Sequence, residues 1–87
     1  MLIIEQNKSS IVNTDYITNI HISGDNSRIK VEFANGCGCS IGMYGGTKCN
    51  QVLVDIANAY GSGKKYFEMP QADEVTITKR VTTRWMQ

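Results

Sequence analysis

The sequence lacks the features of membrane-spanning and disulfide-stabilised proteins. Its longest apolar run, Met1 to Ile4, is far shorter than the roughly 18 residues that a transmembrane helix needs. Three cysteines are an odd number in a chain without a recognisable export signal, so we expect reduced thiols. The 87 residues are enough for one hydrophobic core. We therefore expect a single small cytoplasmic domain with no membrane partner.

Strong charge is also missing. Nine basic and eight acidic residues give a formal net charge of +1, which provides no global field to attract a long nucleic acid. Basic residues are nevertheless enriched after residue 63, where five cations stand against three acids. These cations are Lys64, Lys65, Lys79, Arg80 and Arg84. The C-terminal quarter is therefore the part of the chain best suited to a small anion.

Period-two alternation of apolar residues predicts a β-meander. Alternating segments at Tyr16 to Ser23 and at Arg28 to Ala34 are typical of half-buried strands. Between them, Gly24-Asp25-Asn26-Ser27 tolerates the positive φ of a tight turn. A hairpin centred on this turn pairs Ile22 with Ile29 and Ile20 with Val31.

A second hairpin is predicted around Asn35-Gly36. A two-residue turn there would pair Phe33 with Gly38, so apolar residues of one strand would lack apolar partners on the core face of the next. We therefore prefer a bulged loop centred on Gly36. The preferred pairs are Phe33 with Cys39, Val31 with Ile41 and Ile29 with Met43. The meander then has one apolar face, and polar residues such as His21, Lys30 and Glu32 lie on the other.

An amphipathic helix is predicted to cover the apolar face. Thr47 follows Gly45-Gly46 and is a candidate N-cap for a helix that continues to about Tyr60, before Gly61-Ser62-Gly63. Apolar residues at spacings of three and four form one stripe. They are Cys49, Val52, Leu53, Ile56, Ala57 and Tyr60.

The predicted fold is α+β, an antiparallel β-meander of four or more strands packed against one helix, with a C-terminal strand. Leu2 to Glu5 is expected to pair back, through a turn near Asn7, with Ile11-Val12, and Tyr66 to Met69 is a further strand. Residues 1–70 form the core domain. Residues 71–87 are an extension of the same domain, either a strand or an oligomerisation arm, and an unpaired strand edge predicts a homo-oligomer.

Two segments are candidates for ligand binding. The glycine-rich segment Gly42 to Lys48 leads into a helix N-terminus, where backbone N–H groups can hold an anion, although a simple tight turn explains it equally. The basic, aromatic C-terminal segment could stack on and neutralise a nucleotide, or be solvated surface. The candidate ligand-binding residues are Tyr44, Lys48, Lys65, Arg80, Arg84 and Trp85.

Catalytic and metal sites have no support in the sequence. His21 is the only histidine, and no Ser-His-Asp arrangement or paired-carboxylate motif accompanies it. Cys37, Cys39 and Cys49 could supply thiolates to a metal, but the predicted register places His21 on the opposite face of the sheet. We therefore expect a non-enzymatic protein without a cofactor, in which the cysteines pack.

Three segments carry a resemblance to a family of small uncharacterised proteins from Gram-positive bacteria and their phages. They are Ile41-Gly42-x-Tyr44, Val52-Leu53-x-x-Ile56-x-x-Ala59-Tyr60 and Lys65-Tyr66-Phe67-x-Met69-Pro70. The resemblance covers about residues 1–70 and transfers no catalytic residue. It implies a phage-type binding protein of the host cytosol that antagonises host defence by sequestering a nucleotide-type signal. Two alternatives are an inhibitor of a host defence protein such as a nuclease and a structural phage accessory protein.

Overall fold

A computed structural model describes residues 1–77 of the chain, which adopt the predicted α+β fold. Six strands and one α-helix lie within this range. The strands are β1 Leu2–Ile4, β2 Ile11–Asn13, β3 Ile17–Ile22, β4 Arg28–Phe33, β5 Gly38–Met43 and β6 Tyr66–Glu68. The helix, α1, spans Thr47–Gly61, and short 3-10 turns occupy Thr14–Tyr16 and Ala72–Glu74.

Strands β3, β4 and β5 form the predicted meander. The first hairpin has the predicted register, with Ile20 opposite Val31 and Ile22 opposite Ile29. Its turn is stabilised by Asp25, whose carboxylate accepts hydrogen bonds from the hydroxyls of Ser23 and Ser27, both at 2.6 Å. Asn26 adopts φ of 60°, a left-handed conformation that asparagine tolerates better than most residues. The turn chemistry therefore fixed this register, as the sequence indicated.

The register of the second hairpin was predicted wrongly. Val31 lies opposite Cys39 and Lys30 opposite Ser40, whereas Ile29 lies opposite Gly42. The loop has an odd number of residues and Gly36 has φ of 90°, as expected, but Phe33 N–H bonds to the carbonyl of Cys37 and centres the loop one residue earlier. The bulge follows at Ile41 instead. As a result Ile41 is buried, while Cys39 and Met43, both predicted in the core face, are exposed.

The helix covers the meander with a slightly different face from the predicted one. Its N-cap is Gly46, with φ of 54° and no side-chain capping bond, so the N-cap prediction at Thr47 was off by one residue. The buried helical residues are Cys49, Val52, Ile56 and Ala59. Leu53 is half-buried, and Ala57 and Tyr60, which were predicted to face the sheet, are exposed.

The remaining strands form a separate three-stranded sheet in the order β2-β1-β6. The predicted pairing of β1 with β2 is confirmed, with Ile3 opposite Val12, and β6 joins β1 in parallel. Gln6 connects the two sheets, since its N–H donates to the carbonyl of Ile41 at 3.0 Å. Ile3 and Ile41 are both buried in the core that the sheets share with α1.

The chain after β6 packs on the same core. Met69 is buried and Val75 packs against the core cluster, but Val75 to Ile77 form no strand. The rest of the predicted C-terminal strand, residues 78–87, lies outside the described range. No helix within residues 1–77 is long and apolar enough to cross a membrane.

Candidate ligand-binding groove

Tyr44 is a core residue. Only 1% of its surface is exposed, and its hydroxyl donates a hydrogen bond of 2.6 Å to the carbonyl of Pro70. Burial raises the pKa of this hydroxyl well above its usual range, so Tyr44 stays neutral. Its ring packs in the interior rather than lining an open site, which removes Tyr44 from the surface available to a ligand.

Lys48 is also engaged within the fold. It lies in the first turn of α1, is half-buried, and its Nζ donates to the carbonyl of Ala72 at 2.8 Å. This bond fastens the segment after Pro70 to the start of the helix. The first turn of α1 contains no acidic residue, and the capping position is a glycine, so its amides lack a side-chain cap. Lys48 thus has a structural contact where an anion contact was predicted.

The remaining predicted ligand residues are widely spaced or lie beyond the described range. Lys65 follows the end of α1, whereas Lys48 lies at its beginning, and fifteen helical residues span about 22 Å. The structure therefore does not bring Lys48 and Lys65 into one site. Arg80, Arg84 and Trp85 lie outside residues 1–77, so their part in the predicted site stays a prediction.

A groove of about 410 Å³ opens between β3 and the second half of α1. Ile17 and Ile20 contribute its strand side, and Leu53, Ile56 and Tyr60 contribute its helix side. Ile56 is almost fully buried at its base, whereas Tyr60 is 65% exposed. The groove therefore combines an apolar floor with an accessible aromatic ring.

Polar groups lie at the rim of this groove. Thr14 Oγ1 accepts a hydrogen bond from the N-terminal ammonium of Met1 at 3.0 Å, which holds these two groove residues together. Thr18 donates to the carbonyl of Glu32 at 3.3 Å, and the side chain of Asn19 is exposed. Among the described residues that line the groove, none has an acidic or basic side chain.

Lys65 lies beside one end of the groove. Its carbonyl accepts a hydrogen bond of 3.0 Å from the N–H of Leu2, the neighbour of the groove residue Met1. The chain that leads to Lys65 also passes Tyr60, whose carbonyl accepts from Gly63 N–H at 3.1 Å. Lys65, an exposed lysine, is thus five residues after the groove residue Tyr60 and is hydrogen-bonded through its backbone to the neighbour of the groove residue Met1.

The cysteines and His21 form no cluster. Cys37 and Cys39 are exposed, and Cys49 is buried with its thiol 3.6 Å from the carbonyl of Tyr44. Burial raises the pKa of the Cys49 thiol, which keeps it protonated. Within residues 1–77 no group of three or more histidine, cysteine, aspartate or glutamate side chains could hold a metal ion.

The sequence reasoning missed the groove, although one signal for it was present. Leu53, Ala57 and Tyr60 were predicted to belong to the stripe that faces the sheet, yet Leu53 is half-buried, Ala57 and Tyr60 are exposed, and all three line the groove. The apolar stripe of α1 is therefore only partly covered by the sheet, and its uncovered residues form one side of the groove.

Comparisons with protein-family models, with curated proteins and with solved structures found no match to this chain. The resemblance to small proteins of Gram-positive bacteria and their phages therefore stays a hypothesis.

Proposed function

We propose that this chain is a small non-catalytic binding protein that sequesters a nucleotide-type ligand, with the base of the ligand in the groove between β3 and α1. The groove, apolar at its floor and open at the exposed ring of Tyr60, is the observation that supports the proposal. Its volume of about 410 Å³ is within the usual range for small-molecule sites. Stacking of a base on an aromatic side chain contributes about 1–3 kcal/mol.

The charge distribution suits a ligand with one apolar and one anionic end. The described side chains that line the groove include no carboxylate, ammonium or guanidinium group, so its apolar surface suits a base. Lys65, five residues after Tyr60 and hydrogen-bonded through its carbonyl to the N–H of Leu2, is proposed as a phosphate contact. Arg80, Arg84 and Trp85, which lie outside the described range, are retained in the proposal as further phosphate and base contacts.

The resemblance to phage proteins suggests the cellular role. A phage-type protein that held a nucleotide signal without converting it would lower the free concentration of that signal and so antagonise host defence. Such a role needs affinity and no turnover, which agrees with a groove that contains no histidine, cysteine or carboxylate among its described lining residues.

A thermal-shift screen against linear and cyclic nucleotides tests this proposal. A ligand at about a hundred times its dissociation constant stabilises the folded state by roughly 2.7 kcal/mol, which is easily measured in a small domain. Tyr60→Ala should weaken binding by about 5-fold to 150-fold, in line with the loss of one stacking contact of about 1–3 kcal/mol. Tyr66→Ala is the matched control, because Tyr66 is 62% exposed on β6 and does not line the groove.

Further measurements distinguish sequestration in this groove from turnover and from binding elsewhere. Recovery of the nucleotide intact after the protein is denatured would support sequestration, whereas a converted product would identify an enzyme and overturn the proposal. A screen without any thermal shift, or an equal loss of affinity in Tyr60→Ala and Tyr66→Ala, would also refute binding in this groove.

A second candidate function is inhibition of a host defence protein such as a nuclease. The observation that favours it is the exposure of Tyr16, at 67%, and Tyr66, at 62%, since exposed tyrosines are frequent in the energetic centres of protein interfaces. A stoichiometric complex with such a nuclease, weakened by Tyr16→Ala and formed without nucleotide, would favour inhibition over sequestration.

A further inference from the structure

Strand β3 has one edge that no strand of residues 1–77 covers. It pairs with β4 on one side, and no strand among residues 1–77 pairs with its other side. Edge strands in monomeric proteins are usually protected by charged residues, proline, shortness or a covering segment. The six residues Ile17–Ile22 contain no charged residue and no proline, and their only irregularity is the bulge between Ile17 and Asn19.

The other sheet edges of the described structure are short or covered. Strands β2 and β6 have three residues each. The edge of β5 is covered by Gln6, whose backbone N–H donates to the carbonyl of Ile41. The side chain of Gln6 also donates to the Met43 carbonyl at 3.0 Å and accepts from the Met43 N–H at 2.7 Å. Strand β3 is therefore the longest uncovered edge in this part of the chain.

The hydrogen-bond alternation of the β3–β4 pair identifies the backbone groups at this edge. Ser23 N–H donates to the carbonyl of Arg28 at 2.9 Å, so every second residue back along the strand, His21 and Asn19, also bonds toward β4. The N–H and carbonyl groups of Ile20 and Ile22 therefore point away from β4. They are available to another strand.

We propose that a second copy of this chain occupies the β3 edge, forming a two-fold symmetric dimer with a continuous six-stranded antiparallel sheet. In the register that centres the strand, Ile20 lies opposite Ile20 of the second copy, and Ile22 lies opposite Thr18 of the second copy. An antiparallel pair of identical strands has this two-fold symmetry by construction.

The chemistry of the strand favours a second copy as the partner. Self-pairing of an uncharged strand brings no like charges together, whereas charged strands would repel each other. In this register His21 faces Asn19 of the second copy, not another histidine. Nδ1 of His21 is buried without a hydrogen-bond partner among residues 1–77, and the carboxamide of the second Asn19 would be a new polar group beside the ring.

The dimer would also join the two ligand grooves. Ile20 lines the groove in each copy and would lie against Ile20 of the second copy at the two-fold axis. One six-residue edge and one groove rim on each chain make a small interface, so the dimer should dissociate on dilution. This inference stands apart from the proposed function, because a chain that binds no nucleotide could still dimerise through β3.

Disulfide trapping tests the register. In a background of Cys37→Ser and Cys39→Ser, which removes the exposed thiols, Asn19→Cys and His21→Cys are prepared as separate proteins. Directly opposite residues of a non-hydrogen-bonded pair have Cα atoms about 4.5 Å apart, a separation that a disulfide can bridge. We expect mild oxidation to link the two proteins when they are mixed, and to link neither protein to itself.

Sedimentation equilibrium over a range of concentrations tests the dimer independently. Asn19→Lys should weaken dimerisation at least tenfold, because it places an ammonium group in the pairing strand. Asn50→Lys, an equal charge change at an exposed helical position, should have no effect. A monomer at every concentration, equal masses for the two lysine variants, or a disulfide between two copies of the same cysteine variant would each overturn the proposal.

Discussion

Gly42→Ala should destabilise the fold, although alanine usually replaces glycine in a protein at little cost. Gly42 is buried on β5, where a Cβ would lie 2.7 Å from Cε2 of Tyr44 and 2.9 Å from Cε of Met69. Real Cβ atoms do not approach neighbours this closely. The ring of Tyr44 is held by its bond to Pro70, so it cannot move away without the loss of that hydrogen bond.

The magnitude follows from two opposing effects. Overpacking a core by one methyl group typically costs about 1–3 kcal/mol. Replacing glycine by alanine also removes freedom from the unfolded chain, which stabilises by about 0.4–1 kcal/mol. Gly45→Ala is the matched control, because nothing lies within 4 Å of its Cβ position and its φ is not in the left-handed region. The difference between the two variants should therefore be close to the overpacking cost alone.

Chemical denaturation of both variants measures this difference directly. We expect Gly42→Ala to be less stable than Gly45→Ala by about 1–3 kcal/mol, with a melting temperature lower by roughly 4–8 °C for each kcal/mol. Equal stability of the two glycine variants would refute the packing described for Tyr44.

Two further predictions concern titratable groups. Hydrogen bonds from Ser23, and then Ser27, lower the pKa of the Asp25 carboxyl from 3.8 to about 2, so the stability they provide should be present above about pH 4 and lost as the pH falls toward 2. An NMR titration of Asp25 with a midpoint near 4 would contradict this, and Asp25→Asn should remove this part of the acid dependence. Burial raises the pKa of the Cys49 thiol, so a thiol reagent at mildly alkaline pH should modify Cys37 and Cys39 in the folded protein and Cys49 only in denaturant. Rapid modification of Cys49 in the native state would contradict its burial.

Local signals predicted the elements of this fold better than their mutual arrangement. The turn at Gly24 to Ser27 set the first hairpin correctly, because its asparagine and aspartate favour one turn geometry. At Asn35-Gly36 the alternation favoured an odd loop centred on Gly36, but the loop is centred one residue earlier and the bulge at Ile41 restores the apolar face further along the strand. A bulge of this kind depends on contacts across the whole sheet, which the local pattern does not contain.

Division into two sheets was equally hard to predict. Strands β1 and β6 pair in parallel across more than sixty residues, and each has only three residues. Such short strands carry little alternation of their own. Their pairing is instead supported by long-range contacts such as the bond from Leu2 N–H to the carbonyl of Lys65.

The candidate site illustrates why residue type alone was a poor guide to ligand contacts. Tyr44 and Lys48 were chosen because a tyrosine and a lysine near a helix N-terminus suit an anion, but the fold uses the hydroxyl of one and the ammonium of the other to bind backbone carbonyls. Tyr60 was assigned to the core because it continues an apolar stripe, yet its side chain is 65% exposed and lines the groove. The width of the helical stripe relative to the sheet would have separated these roles. Of the six apolar residues in the predicted stripe, Cys49, Val52 and Ile56 are buried. Leu53, Ala57 and Tyr60 stay at least partly accessible in the groove, where they could contact a ligand.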